Sequence, residues 1–276
     1  MIAIYSSKKP KIFPSLQTRD DGHASCEHKS EENVLVWEQN MAFEHGFDDF
    51  VLENQTYTKK NTDKMIRIAI LDFDGTLGDT TALIVRTTQA AIRELGLPER
   101  SDEQCAAMIG LRLVEIPPVL FPECEVDREL YAATYRRIFN EFNTEGAVQL
   151  YPHVMETLKE LKKRGIILTI ASSRSNASLT EYINNLGLAS TITYILGAND
   201  VKEGKPNPEA VLKTLAAHGI PAEEAIVVGD TVFDIEMGRN AGVKTCGVTY
   251  GNGSRESMSN ADWLIDDFGK LLELTA

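Results

Sequence analysis

Cysteine, basic charge and long apolar runs are all scarce in this sequence. The four cysteines among 276 residues (Cys26, Cys105, Cys124, Cys246) are far apart and form no C-x-x-C pair. That spacing excludes a disulfide framework and a zinc site, and it reads as free thiols in a reducing compartment. Lys and Arg number 28 against 41 Asp and Glu, for a formal net charge of −13. A nucleic-acid or membrane-surface partner would need a basic face, so neither is expected. No stretch approaches the roughly 18 apolar residues of a membrane span, and no apolar segment follows Lys8, Lys9 and Lys11 to make a secretory signal. A cytoplasmic protein, monomer or homodimer, is the plain reading. Two glycine-rich stretches fall short of nucleotide fingerprints. Gly197 to Gly204 spaces its glycines too widely for a P-loop, and Pro206 follows Lys205 where Ser or Thr is needed. Gly251-Asn252-Gly253 lacks a third glycine; both stretches read as turns.

Composition shifts near residue 65. Residues 1–64 are polar and irregular, and they read as a poorly ordered or dispensable extension preceding Met65, with a start site assigned too early. From there, strand-length apolar runs alternate with helical segments: 66–71, 166–171, 192–196, 225–229 and 243–248. Val154, Leu158 and Leu161 give a helix one apolar face, and Gly165 ends it. Asn207 and Pro208 open another helix, which Gly219 closes. Such alternation indicates βαβ units and a parallel sheet, hence an α/β core. The interval from Thr80 to Val148 breaks the pattern with helix-like stretches alone, interrupted at Pro117 and Pro118. The expected division is a core of 65–79 and 149–276 with a helical unit, 80–148, inserted after the first strand.

Ligands of open α/β sheets bind beyond the carboxyl ends of the strands. Asp72 and Asp74 end the first strand, Ser172 and Ser173 the second, and Asp230 and Asp234 follow the fourth, with Lys205 in the loop after the third. Residues i and i+2 of an extended segment share a face, so Asp72 and Asp74 point together while Phe73 packs inward. Gly75 allows a sharp turn there. Asp79 is expected to cap the next helix. Four carboxylates in one crevice need a cation, and an all-oxygen site shared with a phosphate suits Mg²⁺. Carboxylates, a lysine and hydroxyl donors around Mg²⁺ make a phosphoryl-transfer arrangement.

The stretches "DFDGTLGDT", "TIASSR", "GKPNPE" and "GDTVFDIEMGRNAG", in this order, resemble the haloacid dehalogenase superfamily, and within it the phosphoglycolate phosphatase-like group with a helical cap. The resemblance spans residues 66–274 and implies a Rossmann-like parallel core. It implies that Asp72 is the nucleophile and Asp74 the general acid and base. It further implies phosphate binding by Ser172, Ser173 and Lys205, and a Mg²⁺ site from Asp72, Asp74, Asp230 and Asp234, Asp74 through its backbone carbonyl. Arg112 and Arg174 are candidate substrate contacts. Ser172-Ser173-Arg174 departs from the Thr-Asn-Lys usual in that group and looks more like the β-phosphoglucomutase relatives. Asp74 argues against dehalogenation, because the members that cleave carbon–halogen bonds lack it. The implied activity is Mg²⁺-dependent hydrolysis of a small phosphomonoester, a phosphoglycolate-like metabolite, through an aspartyl-phosphate. The alternatives are a hexose-phosphate mutase, a pyrophosphatase, a nucleotidase and a non-catalytic scaffold.

Overall fold

The computed structural model describes residues 65–275, so the N-terminal extension lies outside the described residues. Eight strands, β1 (Ile68–Leu71), β2 (Gly78–Asp79), β3 (Gln149–Leu150), β4 (Ile167–Ala171), β5 (Tyr194–Leu196), β6 (Ala225–Gly229), β7 (Lys244–Val248) and β8 (Trp263–Ile265), form two sheets. Six of them make one all-parallel sheet in the order β5-β4-β1-β6-β7-β8. The sequence pattern anticipates five of these and misses β8, a three-residue strand at the sheet edge.

β1 shows why the strand runs are apolar throughout. Ile68 and Ile70 pack on one face with Val211, Leu215 and Met237, while Ala69 and Leu71 pack on the other with Leu158, Leu161 and Phe268. A parallel strand covered on both faces has no solvent side and so loses the apolar–polar alternation. The nine helices among the described residues are α1 (Thr81–Glu94), α2 (Asp102–Ala106), α3 (Ile116–Leu120), α4 (Arg128–Phe142), α5 (Val154–Lys163), α6 (Asn176–Asn185), α7 (Glu209–His218), α8 (Val232–Asn240) and α9 (Leu271–Leu274). Helices α5 and α6 supply one layer and α7 and α8 the other.

Helices α1 to α4 lie between β2 and β3, which pair antiparallel as Gly78↔Leu150 and Asp79↔Gln149. This helical insertion has an apolar centre of its own, built from Ile92, Leu97, Cys105, Ile116, Leu120, Phe121 and Tyr131. Tyr135 and Phe139 of α4 instead join the core cluster and seat the insertion on the sheet.

Two local expectations are corrected. Asp79 sits in β2, and Thr80 takes the N-cap position of α1 without a side-chain cap bond. Strand pairing claims Asp79 before the helix can. Pro117 and Pro118 stand in the first turn of α3 rather than breaking a helix, where a missing N–H costs nothing. Cys105 and Cys246 are free and buried, and Cys26 lies outside the described residues. No helix among the described residues is long and apolar enough to cross a membrane.

Candidate active site

β1 continues one residue past its end, where Asp72 N–H donates to the Val228 carbonyl at 2.9 Å. The chain then turns, with the Phe73 carbonyl accepting from the N–H groups of Thr76, Leu77 and Gly78. Phe73 is buried beneath the turn. Gly75 makes the turn at φ +81°, and a Cβ there would fall 2.1 Å from Asp230 Oδ2 and 2.3 Å from Asn252 Nδ2. Only glycine fits both the conformation and the space.

Asp72, Asp230 and Asp234 bring carboxylate oxygens within 4.8 Å of one another, and all three are buried. Lys205 Nζ donates to Asp72 Oδ1 and to Asp234 Oδ1, each at 2.5 Å. Asp234 Oδ2 accepts from the Thr231 N–H at 3.1 Å and hydroxyl at 2.7 Å, capping α8 at the same time. Burial pushes the Asp72 carboxyl well above the usual carboxylate range; Lys205 works against that rise, and Asp234, Asp230 and Asp74 add to it. Burial likewise pushes Asp230 up, to about 7, helped by Asp234 and opposed by Asn252. Burial disfavours the charge on Lys205, but Asp234 and Asp72 outweigh it and hold its pKa above the ordinary lysine value. One lysine for three buried carboxylates leaves negative charge uncompensated. Oxygen donors alone, clustered at this spacing, fit a hard divalent cation such as Mg²⁺.

Asp74 stands apart from that cluster. Its side chain is bound by Arg174, with Nη2 donating to Oδ1 at 2.6 Å and Nε to Oδ2 at 3.1 Å. Ser172 is buried at the end of β4, and its Oγ accepts from the Arg174 N–H at 3.3 Å. Ser173 donates its hydroxyl to the Gly110 carbonyl at 2.5 Å, so its proton is committed to the helical insertion. Arg112 is committed too: its guanidinium bonds Glu115 and donates to the Lys202 carbonyl at 2.8 Å. The two arginines expected at the substrate therefore have protein partners, Arg174 on the Asp74 carboxylate and Arg112 between insertion and core.

A cavity of about 530 Å³ separates the two parts. Asp72, Asp74, Ser172 and Arg174 line its floor, and Tyr135 and Phe139 stand among the insertion residues of its wall. Lys205, Asp230 and Asp234 are not among its lining residues; Lys205 bonds Asp72, which is.

Sequence reasoning missed Asn252. Its backbone N–H and its amide both donate to Asp230 Oδ2, at 2.7 and 2.8 Å, while its own Oδ1 accepts from Thr81 Oγ1 at 2.8 Å. Tyr250 donates to the Thr76 carbonyl at 2.8 Å in the same loop. The signal was available: Tyr250 to Gly253 follow the carboxyl end of β7, where ligand-facing residues gather.

Comparison with known proteins gives the family. The pattern of the family described as "Haloacid dehalogenase-like hydrolase" matches residues 69–248. A protein of Vibrio parahaemolyticus named "Phosphoglycolate phosphatase" is 32% identical over 224 residues, covering 78% of this chain and 98% of that one. "Pyrophosphatase PpaX" of Bacillus velezensis is 30% identical over 217 residues, covering 78% and 98%. Among solved structures, a putative haloacid dehalogenase-like hydrolase from Bacteroides fragilis matches with a TM-score of 0.68 and 26% identity, over 75% of this chain and 99% of that one.

Proposed function

The chain belongs to the haloacid dehalogenase-like hydrolase family, and on that premise we propose that it is a Mg²⁺-dependent phosphatase of small phosphomonoesters, phosphoglycolate-like in class, working through an aspartyl-phosphate on Asp72. The observation that carries this reading is Lys205 bonded at once to Asp72 and Asp234 at the carboxyl ends of the central strands.

Asp72, Asp230 and Asp234 would hold the metal, joined by the Asp74 backbone carbonyl. When bound, it would offset the cluster's charge and that of the phosphoryl group. The remaining steps belong to the chain's own side chains. An Asp72 oxygen attacks phosphorus as the bond to the leaving oxygen breaks, and Asp74 gives that oxygen its proton, releasing an alcohol. Water then attacks the phosphorus of the aspartyl-phosphate, Asp74 takes the water's proton, and the bond to Asp72 breaks to free phosphate and the original carboxylate. Lys205 holds Asp72 in place and neutralises charge, and Ser172 donates its hydroxyl toward a phosphoryl oxygen. Ser173 contributes through its bond to the insertion. The insertion acts as a cap whose wall faces the leaving group.

The test is phosphate release from a phosphomonoester panel including 2-phosphoglycolate, with Mg²⁺ and with chelator, by the wild type and by Asp72→Asn. Mg²⁺-dependent release that disappears in the folded variant is expected. Release that survives in Asp72→Asn would sink the assignment. A second reading, hydrolysis of pyrophosphate, is favoured by the relative of that name, and pyrophosphate belongs in the panel.

A further inference from the structure

Lys205 and Arg174 divide the reactive carboxylates between them. Lys205 bonds Asp72 and Asp234, whereas both oxygens of Asp74 are taken by the guanidinium fork of Arg174. We propose that Arg174 is the positioning residue for Asp74, and that Phe139 of the helical insertion holds Arg174 in the orientation this requires. The inference rests on the acid–base reading of Asp74 given above and adds the device that aims it.

Three features carry it. The pairing is bidentate, which fixes the plane of the carboxylate as a single ammonium contact cannot. Each carboxylate oxygen has two lone pairs, so the fork leaves capacity on Asp74 for a leaving oxygen or a water. The pair is enclosed, with the Arg174 side chain 11% and the Asp74 side chain 14% exposed. Finally, the guanidinium is held by one aromatic ring from the insertion and one from the core. Its carbon lies 4.8 Å from the ring centre of Phe139 on α4 and 5.0 Å from that of Tyr182 on α6. A third donor, Nη1, reaches Ser178 Oγ at 3.3 Å. Tyr182 in turn donates to Asn143 Oδ1 at 2.7 Å, just beyond the end of α4. Insertion and core thus meet at Arg174, and a shift of α4 would remove one ring from the clamp.

A substrate-binding arginine would turn its fork to the cavity; here the fork is spent on Asp74. The two roles differ in what they do to different leaving groups. An alkoxide needs a proton to depart, while p-nitrophenolate departs without one. Loss of alignment at Asp74 must therefore slow alkyl esters and spare the aryl ester, and kcat/KM isolates this step because it reports events up to aspartyl-phosphate formation.

The experiment measures kcat/KM for 2-phosphoglycolate, glycerol 3-phosphate and p-nitrophenyl phosphate in wild type, Arg174→Met, Arg174→Lys and Phe139→Leu. General acid catalysis contributes at least about 100-fold, so Arg174→Met should lose about that on the alkyl esters and under about 3-fold on the aryl ester. Arg174→Lys, a point charge without the fork, should show the same contrast at smaller size, and it decides the matter if Arg174→Met does not fold. Phe139→Leu should slow the alkyl esters selectively. Equal losses on all three esters would mean that Arg174 binds the phosphoryl group, and unchanged alkyl rates would remove it from catalysis; either overturns the inference. Unchanged alkyl rates in Phe139→Leu alone would overturn the insertion's part. A wild type releasing no phosphate, or an active Asp72→Asn, would count against the phosphatase reading instead.

Discussion

Lys205 donates to Asp72 at 2.5 Å with both side chains almost wholly shut away from solvent. The contact joins residues 133 positions apart, and it explains how β1 can end in a buried carboxylate. It also makes Asp72 and Asp234 share one lysine.

Lys205→Met should accordingly be costly. Removing one partner of a buried ion pair destabilises by about 3–5 kcal/mol, because Asp72 and Asp234 would remain buried and unpaired. Urea unfolding in the presence of chelator should show a loss of that size. Mg²⁺ should restore part of it, since a ligand of the folded state alone stabilises by about 2.7 kcal/mol at 100 times its Kd. An unchanged unfolding midpoint would show that the lysine does not offset the carboxylates.

Asn252 should matter to metal affinity more than to folding. It holds Asp230 Oδ2 with two donors, which leaves Oδ1 as the oxygen to face a cation, with the Thr76 hydroxyl at 3.4 Å. Loss of such an orienting partner weakens metal binding by about 10–100-fold. Calorimetric titration of Asn252→Ala with Mn²⁺ should show a weakening in that range, and equal affinity in wild type and variant would refute the role.

Thr80 offers the opposite sign. Its hydroxyl is buried with no hydrogen-bond partner among the described residues, and an unmet buried polar group costs about 1–3 kcal/mol. Thr80→Val keeps the shape and removes the hydroxyl. The variant should unfold at a higher temperature than the wild type by calorimetry; a lower midpoint would show that the hydroxyl is satisfied.

What the sequence revealed and what it withheld follow from range. Asp72, Asp230, Asp234 and Lys205 were legible because each lies in a local stretch with a distinctive neighbour pattern, and because strand ends of an α/β sheet point to one crevice. The βαβ order was legible because β1, β4 and β6 are strand-length apolar runs, broken only by Thr169. Asn252 was read as a turn residue because nothing near position 252 shows that Asp230, 22 residues earlier, would be its partner. Arg174 is only a candidate substrate contact in the sequence, because Asp74, which its guanidinium bonds, is 100 residues away. Arg112 reaches a backbone carbonyl, that of Lys202, and a carbonyl has no signature in side-chain sequence at all. Asp79 was misassigned by a local rule that strand pairing overrode.

The pairing of Asp79 with Gln149 has a consequence for how such a molecule can change. The chain departs for the helical insertion and returns from it at adjacent points of a two-stranded ribbon. Everything between is a detour whose ends already meet, tied back to the sheet by a few contacts: Tyr135 and Phe139 in the core cluster, Ser173 to the Gly110 carbonyl and Arg112 to the Lys202 carbonyl. An insertion taken from a relative, spliced at these two positions, would arrive over the same aspartates. Such a graft would leave the carboxylates in the strands beneath, and it would need a ring where Phe139 now stands beside Arg174.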